Sequence, residues 1–316
     1  MNYRNSVKIL FSNFEHVWKM MLYFLIVSAI SIFFLYLAIN PIYVMLVNSG
    51  VFSNMVQVYT DFLTTLNLTE LMTSLGDMVN NVFATITSHM STIWFSFLGI
   101  ALVFAFFEIF SRNLVTMPLC NSLNFYMGSM NKRGFYASFS DTFGKNVKIQ
   151  LCYYIVTLPF KFAICYLFLL SFKLFSISWV VSVVAIIVLL IAFILLISLI
   201  QSVFVMWVPT YVIMNYGVFK SLKYSVKMLG KRFGRVFSGM VGVIITVFLL
   251  NFILGVFTLF MGLLISIPIS YLLYNVYGMI CAYEGQGMRY YVDIYNVITP
   301  KKKEISDKLN DMKYIV

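Results

Sequence analysis

Charge is what this chain has least of. Lys, Arg, Asp and Glu make up 10% of its 316 residues, where a soluble domain carries about 25%. A mainly water-facing globular surface is therefore excluded. Histidine is scarcer still: the two present, His16 and His89, are far apart and lack neighbouring carboxylates or thiols, so a metal site has no ligand set. The four cysteines are Cys120, Cys152, Cys165 and Cys281. They show no C-x-x-C spacing, which argues against both a metal site and a disulfide framework. Three lie in or beside apolar runs, and Cys120 reads as a loop residue. Also missing are G-x-x-x-x-G-K-[ST], G-x-S-x-G and H-E-x-x-H. No motif supports an enzyme, and no cofactor is expected.

Apolar sequence is what the chain has in excess, at 61% hydrophobic with a mean hydropathy of +0.92. The expected fold is all-α: a single polytopic transmembrane domain over residues 1–316 with six spans. Each apolar run reaches the roughly 20 residues that a crossing needs. The runs are Met20–Asn40, Ile93–Val115, Ile149–Phe172, Ile177–Val208, and two within Val241–Tyr283 that turn at Phe260–Gly262. The first begins only at Met20 and ends in Asn-Pro, so it reads as an uncleaved span rather than a signal peptide. Pro41 and Pro209 are expected to break or end their helices, and Pro268 to kink the last. The fourth run is about 48 Å long as a helix, which requires tilt or projection into water.

Residues 42–90 hold Asp61, Glu70 and Asp77 among many Ser, Thr and Asn, with no Lys or Arg. Asn67-x-x-Glu70 has the form of a capping box. Leu68, Leu71, Leu75, Met78, Val82 and Ile86 follow at helical spacing. This segment is expected to be a helical insertion that runs into the second span. Residues 116–148 read as a loop and 284–316 as a polar tail.

Gly217–Phe237 reads as an amphipathic helix lying at the membrane surface. Val218, Leu222, Val226, Leu229, Phe233 and Val236 mark its apolar face. Lys220, Lys223, Lys227 and Lys231, with Arg232 and Arg235, mark a basic one. That combination suits anionic lipid headgroups or a partner surface. Residues 1–19 repeat the pattern: Ser6-Val7-Lys8-Ile9-Leu10, Phe14, Val17 and Trp18 align with Ser225-Val226-Lys227-Met228-Leu229, Phe233, Val236 and Phe237. A gapped third copy runs through Gly134, Ser138, Thr142 and Gly144-Lys145 before the third span. The layout becomes three hairpins, each preceded by a surface helix.

The net charge is +11, and the basic residues flank spans instead of forming the patch of a nucleic-acid binder. With six spans, every Lys and Arg except Lys161 and Lys173 falls on the side of the termini. The positive-inside rule makes that side cytoplasmic and puts 42–90 outside. The bias toward Phe, Ile, Lys, Asn and Tyr is that of AT-rich bacterial genomes, so a bacterial plasma membrane is expected.

The pattern Phe219-x-Ser221-Leu222-x-x-Ser225, then Leu229-Gly230-x-x-Phe233 and a long apolar hairpin, resembles a group of bacterial six-span proteins. That group includes the membrane domain attached to some glycerophosphodiester phosphodiesterases and several related uncharacterised families. The likeness covers the layout and is specific over Gly217–Phe237. The phosphodiesterase domain itself, a metal-dependent barrel of about 250 residues, has no counterpart. The resemblance therefore implies the membrane fold and carries over neither activity nor site residues. The 42–90 insertion departs from it.

Lys161, in mid-span, is the sharpest candidate for chemistry. A lysine at that depth costs about 3 kcal/mol and faces the bundle interior or water. It sits about 18 Å from the cytoplasmic end of its span, too far for easy snorkelling. Glu108 on the second span could pair with it, or could pair with Arg112 one turn away while Lys161 snorkels. Asn251, Asn275, Gln201 and Ser198 read as interhelical hydrogen-bonding groups. The GxxxG at Gly230–Gly234, with Ser238, Gly239 and Gly242, offers close helix approach. The expectation is a non-enzymatic membrane component, an accessory or scaffold for transport, secretion or envelope assembly. The alternative is a small transporter or lipid-translocating protein that uses the bundle interior, with a membrane-embedded enzyme last. The expected partners are lipids and a membrane protein.

Overall fold

The computed structural model describes residues 2–171, 179–230 and 232–299. Lys173, Lys231, the start of the fourth apolar run and Lys301–Lys303 lie outside them. The described chain is almost wholly helical. Among the described residues six helices are long and apolar enough to cross a membrane: Glu15–Asn48, Met90–Ser129, Phe135–Ser171, Val184–Met214, Phe233–Phe257 and Leu263–Gly285. The protein is an all-α polytopic membrane protein.

In chain order the elements are α1 (Asn2–Ser12), α2 (Glu15–Asn48), α3 (Val51–Thr65), α4 (Leu68–Ser88) and α5 (Met90–Phe107). A π-helical turn (Glu108–Asn113) joins α5 to α6 (Leu114–Ser129). Then come α7 (Phe135–Ser171), α8 (Trp179–Phe204), α9 (Trp207–Met214), α10 (Val218–Gly230), α11 (Phe233–Phe257) and α12 (Leu263–Gly285). A short antiparallel hairpin of β1 (Tyr290–Asp293) and β2 (Asn296–Ile298) follows. Contacts divide the chain into two compact units, one of residues 1–26, 109–154 and 194–316, the other of 27–108 and 155–193.

The second of these is spare. Its α3 and α4 form a helical hairpin. Asn67 caps α4 as its sequence suggests, accepting from the backbone N–H groups of Thr69 and Glu70. Leu71, Leu75, Met78, Val82 and Ile86 are half-buried, while Leu68 is exposed. Pro41 does not end the first span. It is accommodated inside α2, which continues to Asn48.

The first unit holds the core, and here the sequence expectations need most revision. The expected loop 116–148 is helical over most of its length. In α6, Leu114, Val115, Met117, Leu119, Leu123 and Met127 are all buried, because α9, α12 and β1 pack around it. Burial on several sides erases the one-sided stripe that marks an amphipathic helix. Cys120 accordingly lies in the core and not in a loop. All four cysteines are free. The third expected surface helix is continuous with its span as α7. The tail begins with ordered structure, since α12 runs through Glu284 and the β-hairpin follows.

Pro209 also behaves differently. It lies inside α9, and the chain breaks four residues earlier, at Val205–Met206. Proline has no N–H for the carbonyl of residue i−4, so Val205 O loses its helical donor. That oxygen lies against Gly278 of α12, where a Cβ would come within 2.7 Å of it.

Candidate functional site

Within the second unit the structure brings Lys161 and Glu108 together as an ion pair. Both side chains are partly buried, at 30% and 23% exposure. Glu108 opens the π-helical turn, an irregularity that often accompanies functional positions. It follows the apolar length of α5, while Lys161 lies two residues after Pro159 in α7. The competing Glu108–Arg112 pairing involves a side chain outside those described. In the first unit the π turn offers the Phe110 carbonyl to the Tyr23 hydroxyl, 2.5 Å away.

The basic surface is partly dispersed. α10 has three faces. Val218, Ser221, Ser225, Met228 and Leu229 are buried, and Trp207 Nε1 donates to the Val218 carbonyl at 3.0 Å. Phe219 and Val226 are exposed beside this face, at 69% and 44%. Lys220, Lys223 and Lys227 are exposed on the third, with Lys220 over the Tyr216 ring at 4.6 Å. Of the expected apolar face, Val218, Leu229 and Val236 face the core while Val226 does not, and the small Ser221 and Ser225 share the core side and allow close packing. Phe233 is exposed as well. Arg232 and Arg235 leave the basic face for the carboxylate of Glu284, at 3.9 and 4.0 Å.

Residues of the repeat match in structure. Ser6 and Ser225 are both fully buried, as are their neighbours Leu10 and Leu229, and Val17 and Val236. Lys8 and Lys227 are both exposed. The first and last of the three surface helices break at the same register before their spans. The backbone bond His16 N–Asn13 O (3.1 Å) has its counterpart in Arg235 N–Arg232 O (3.0 Å). In the third copy Ser138 and Thr142 are buried like Ser221 and Ser225. In contrast, the GxxxG glycines Gly230 and Gly234 have nothing within 4 Å of an added Cβ, whereas Gly239 lies against the Tyr277 ring.

Glu284 was not expected to matter. It is 8% exposed and gathers donors from three elements. Asn2 Nδ2 donates to Oε2 at 3.0 Å and the Tyr290 hydroxyl to Oε1 at 3.2 Å. Asn5 Nδ2 supports Tyr290 at 3.3 Å. Burial, and then the charge of Glu284, push the Tyr290 phenol well above its ordinary value, so it stays protonated and donates.

Glu284 also ends a polar stripe. Ser266, Ser270, Tyr274, Tyr277, Cys281 and Glu284 follow one another at steps of three and four along α12 and so share one side. Their partners come from other helices. Asn251 bonds Ser270 (3.0 Å) and Ser266 (2.6 Å), Tyr274 donates to Gln201 Oε1 (2.8 Å), and Tyr277 donates to the Val236 carbonyl (2.7 Å). Asn275, beside the stripe, accepts from Cys120 at 3.6 Å. That spacing is present in the sequence and is the signal that could have exposed the site.

His16 meets Ser122 through Nε2 at 3.0 Å. Among the described residues no group of three or more His, Cys, Asp or Glu could hold a metal ion. No family model matches the chain, and neither a curated protein nor a solved structure does.

Proposed function

We propose that the chain is a non-enzymatic component of a bacterial plasma membrane, with both termini cytoplasmic, that serves as an accessory or scaffold subunit for transport, secretion or envelope assembly. The three-faced helix α10 supports this reading. One face docks on its own core. The other two present exposed Phe219 and Val226 beside exposed Lys220, Lys223 and Lys227, a combination suited to an anionic leaflet or an acidic partner. Arg232 and Arg235 are turned onto Glu284, which leaves the lysines to carry this surface. Purification in mild detergent, with mass spectrometry of proteins and lipids, tests the reading. A stoichiometric partner is expected, lost when Lys220, Lys223 and Lys227 are replaced by Glu. A partner complex and membrane localisation unchanged by that reversal would overturn the role of α10.

A second reading, translocation of a lipid or small solute, is favoured by the Lys161–Glu108 pair within membrane-spanning helices. It predicts loss of flux from proteoliposomes carrying Lys161→Ala with the protein still folded. Unchanged flux removes Lys161 from the mechanism.

A further inference from the structure

The break between α8 and α9 leaves an unmet polar group. Pro209 has no N–H for the Val205 carbonyl, and no other backbone N–H among the described residues reaches that oxygen. Helix α7 supplies a second unmet group. Gln150 is 1% exposed, and its Nε2 has no partner among the described residues. It closes a buried polar row of Ser138, Thr142, Asn146 and Gln150 at steps of four along α7, which puts them on one side of the helix. Val205 and Gln150 line the same small cavity, of about 20 Å³. Thr116 of α6 and Asn275 of α12 add polar groups to its wall, and Tyr153, Tyr274 and the chain on either side of the break supply the rest. No charged side chain lines it.

Size and chemistry select the occupant. A void of more than about 10–15 Å³ holds one water when two or more polar groups meet it. The cavity passes that size and leaves no room for a larger polar ligand. An amide N–H needs an acceptor and a carbonyl needs a donor, and water is both. A metal cation would suit the Val205 carbonyl but would face the Gln150 N–H, with no carboxylate to balance its charge. A dry cavity would forfeit both hydrogen bonds, and a proline inside a span is tolerated where the freed backbone group is satisfied again. We propose that the cavity is a binding site for one ordered water. It accepts from Gln150 Nε2, donates to the Val205 carbonyl, and so ties α7 to the break between α8 and α9. This does not depend on the scaffold reading.

The test is X-ray hydroxyl-radical footprinting of the full-length protein in phospholipid nanodiscs, read by mass spectrometry. Radicals form from water at the site itself, so a buried side chain is oxidised where water lies against it. Tyr153, buried and lining the cavity, is expected to be oxidised. Tyr277, buried outside it, is the unlabelled control. Gln150→Leu removes the donor, and Pro209→Ala returns an N–H to the Val205 carbonyl. Each is expected to bring Tyr153 down to the level of Tyr277, and should one variant fail to fold the other gives the same reading. Gln150→Leu is also expected to lower the melting temperature, since it displaces the water and strands the carbonyl. A higher melting temperature would mean that a dry, unpaired amide had been removed, and would overturn the proposal. So would Tyr153 labelling at the Tyr277 level in the wild type, or labelling unchanged in both variants. Replacing sodium and potassium by choline is expected to change neither label nor melting temperature. A fall in the melting temperature would assign the cavity to a monovalent cation and overturn the water.

Discussion

Asn2 Nδ2 donates to Glu284 Oε2 at 3.0 Å, so the first helix and the last span are joined by residues 282 positions apart. Arg232, with a side chain only 15% exposed, faces the same carboxylate. Removing the carboxylate leaves this guanidinium poorly compensated, which costs about 3–5 kcal/mol for a buried pair. Glu284→Leu is expected to lower stability by that order in denaturation measurements in detergent. Asn2→Ala is expected to cost about 1–3 kcal/mol, as a partner removed from a charged group does. A Glu284→Leu protein as stable as the wild type would show that the cluster does not hold α1 in place.

Gly278 is expected to be among the least replaceable glycines in the spans. Alanine there would place a Cβ 2.7 Å from the Val205 carbonyl and 3.3 Å from Pro209 Cγ. Neither backbone nor proline ring can yield, so Gly278→Ala is expected to cost about 1–3 kcal/mol. Gly144→Ala is the control. Its site in α7 has nothing within 4 Å, and helix propensity favours alanine by up to about 1 kcal/mol. The difference between the two melting temperatures reads the contact directly.

The hairpin after α12 carries a pH-sensitive turn. Asp293 accepts from Asn296 Nδ2 and from the Tyr295 N–H. The Asn296 side chain, foremost, holds its carboxyl below the usual carboxylate range. Because the folded-state value is depressed, the contribution of the turn is fully present above the ordinary carboxylate value. It is lost as pH falls through the lowered one. Exchange of the Tyr295 amide is expected to accelerate on acidification through that window. In Asp293→Asn the acceleration should disappear.

Much of this architecture is legible in the sequence because membrane spans obey one dominant rule: backbone and side chains in lipid must present about 20 apolar residues. The turn expected at Phe260–Gly262 falls within the observed break after Phe257. Helix α6 was missed for the opposite reason, since burial around Met117, Leu119 and Cys120 leaves no polar face to read. Glu284 was missed because one acid at the end of an apolar run looks like a boundary. Nothing local announces that Asn2, Tyr290 and two arginines converge on it, with Asn5 behind Tyr290. On α10, periodicity identified an amphipathic helix and its buried Val218 and Leu229, but it put Val226 on the core face and left Ser221 and Ser225 out of it.

That error supplies its own test. Ser225 is fully buried, and its hydroxyl donates to the Leu222 carbonyl at 2.8 Å. Ser225→Leu adds side-chain volume where there is no space, and is expected to cost about 1–3 kcal/mol. Val226→Ser, on the exposed flank, is expected to leave stability within about 0.5 kcal/mol and to weaken membrane-surface attachment of α10. The face assigned from periodicity would predict the reverse order. The same pair in the aligned copy, Ser6→Leu against Val7→Ser, checks that the two helices are one repeated device, because Ser6 is equally buried and donates to the Asn2 carbonyl at 2.9 Å.

Lys161 and Glu108 form an ion pair in a setting poorer in water than a protein surface, so their coupling is expected to exceed that of an exposed pair. Removing either alone leaves the other charge with less compensation. Removing both, as Lys161→Met with Glu108→Gln, takes that penalty away. A double-mutant cycle on unfolding in detergent is therefore expected to give an interaction energy of about 1–3 kcal/mol, with the double variant more stable than the sum of the single losses predicts. Additive losses would mean that each side chain finds its compensation elsewhere, and the pair would then be a contact without energetic consequence. If the coupling is present and proteoliposome flux is nevertheless unchanged in the double variant, the pair holds α7 to the end of α5 and takes no part in transport.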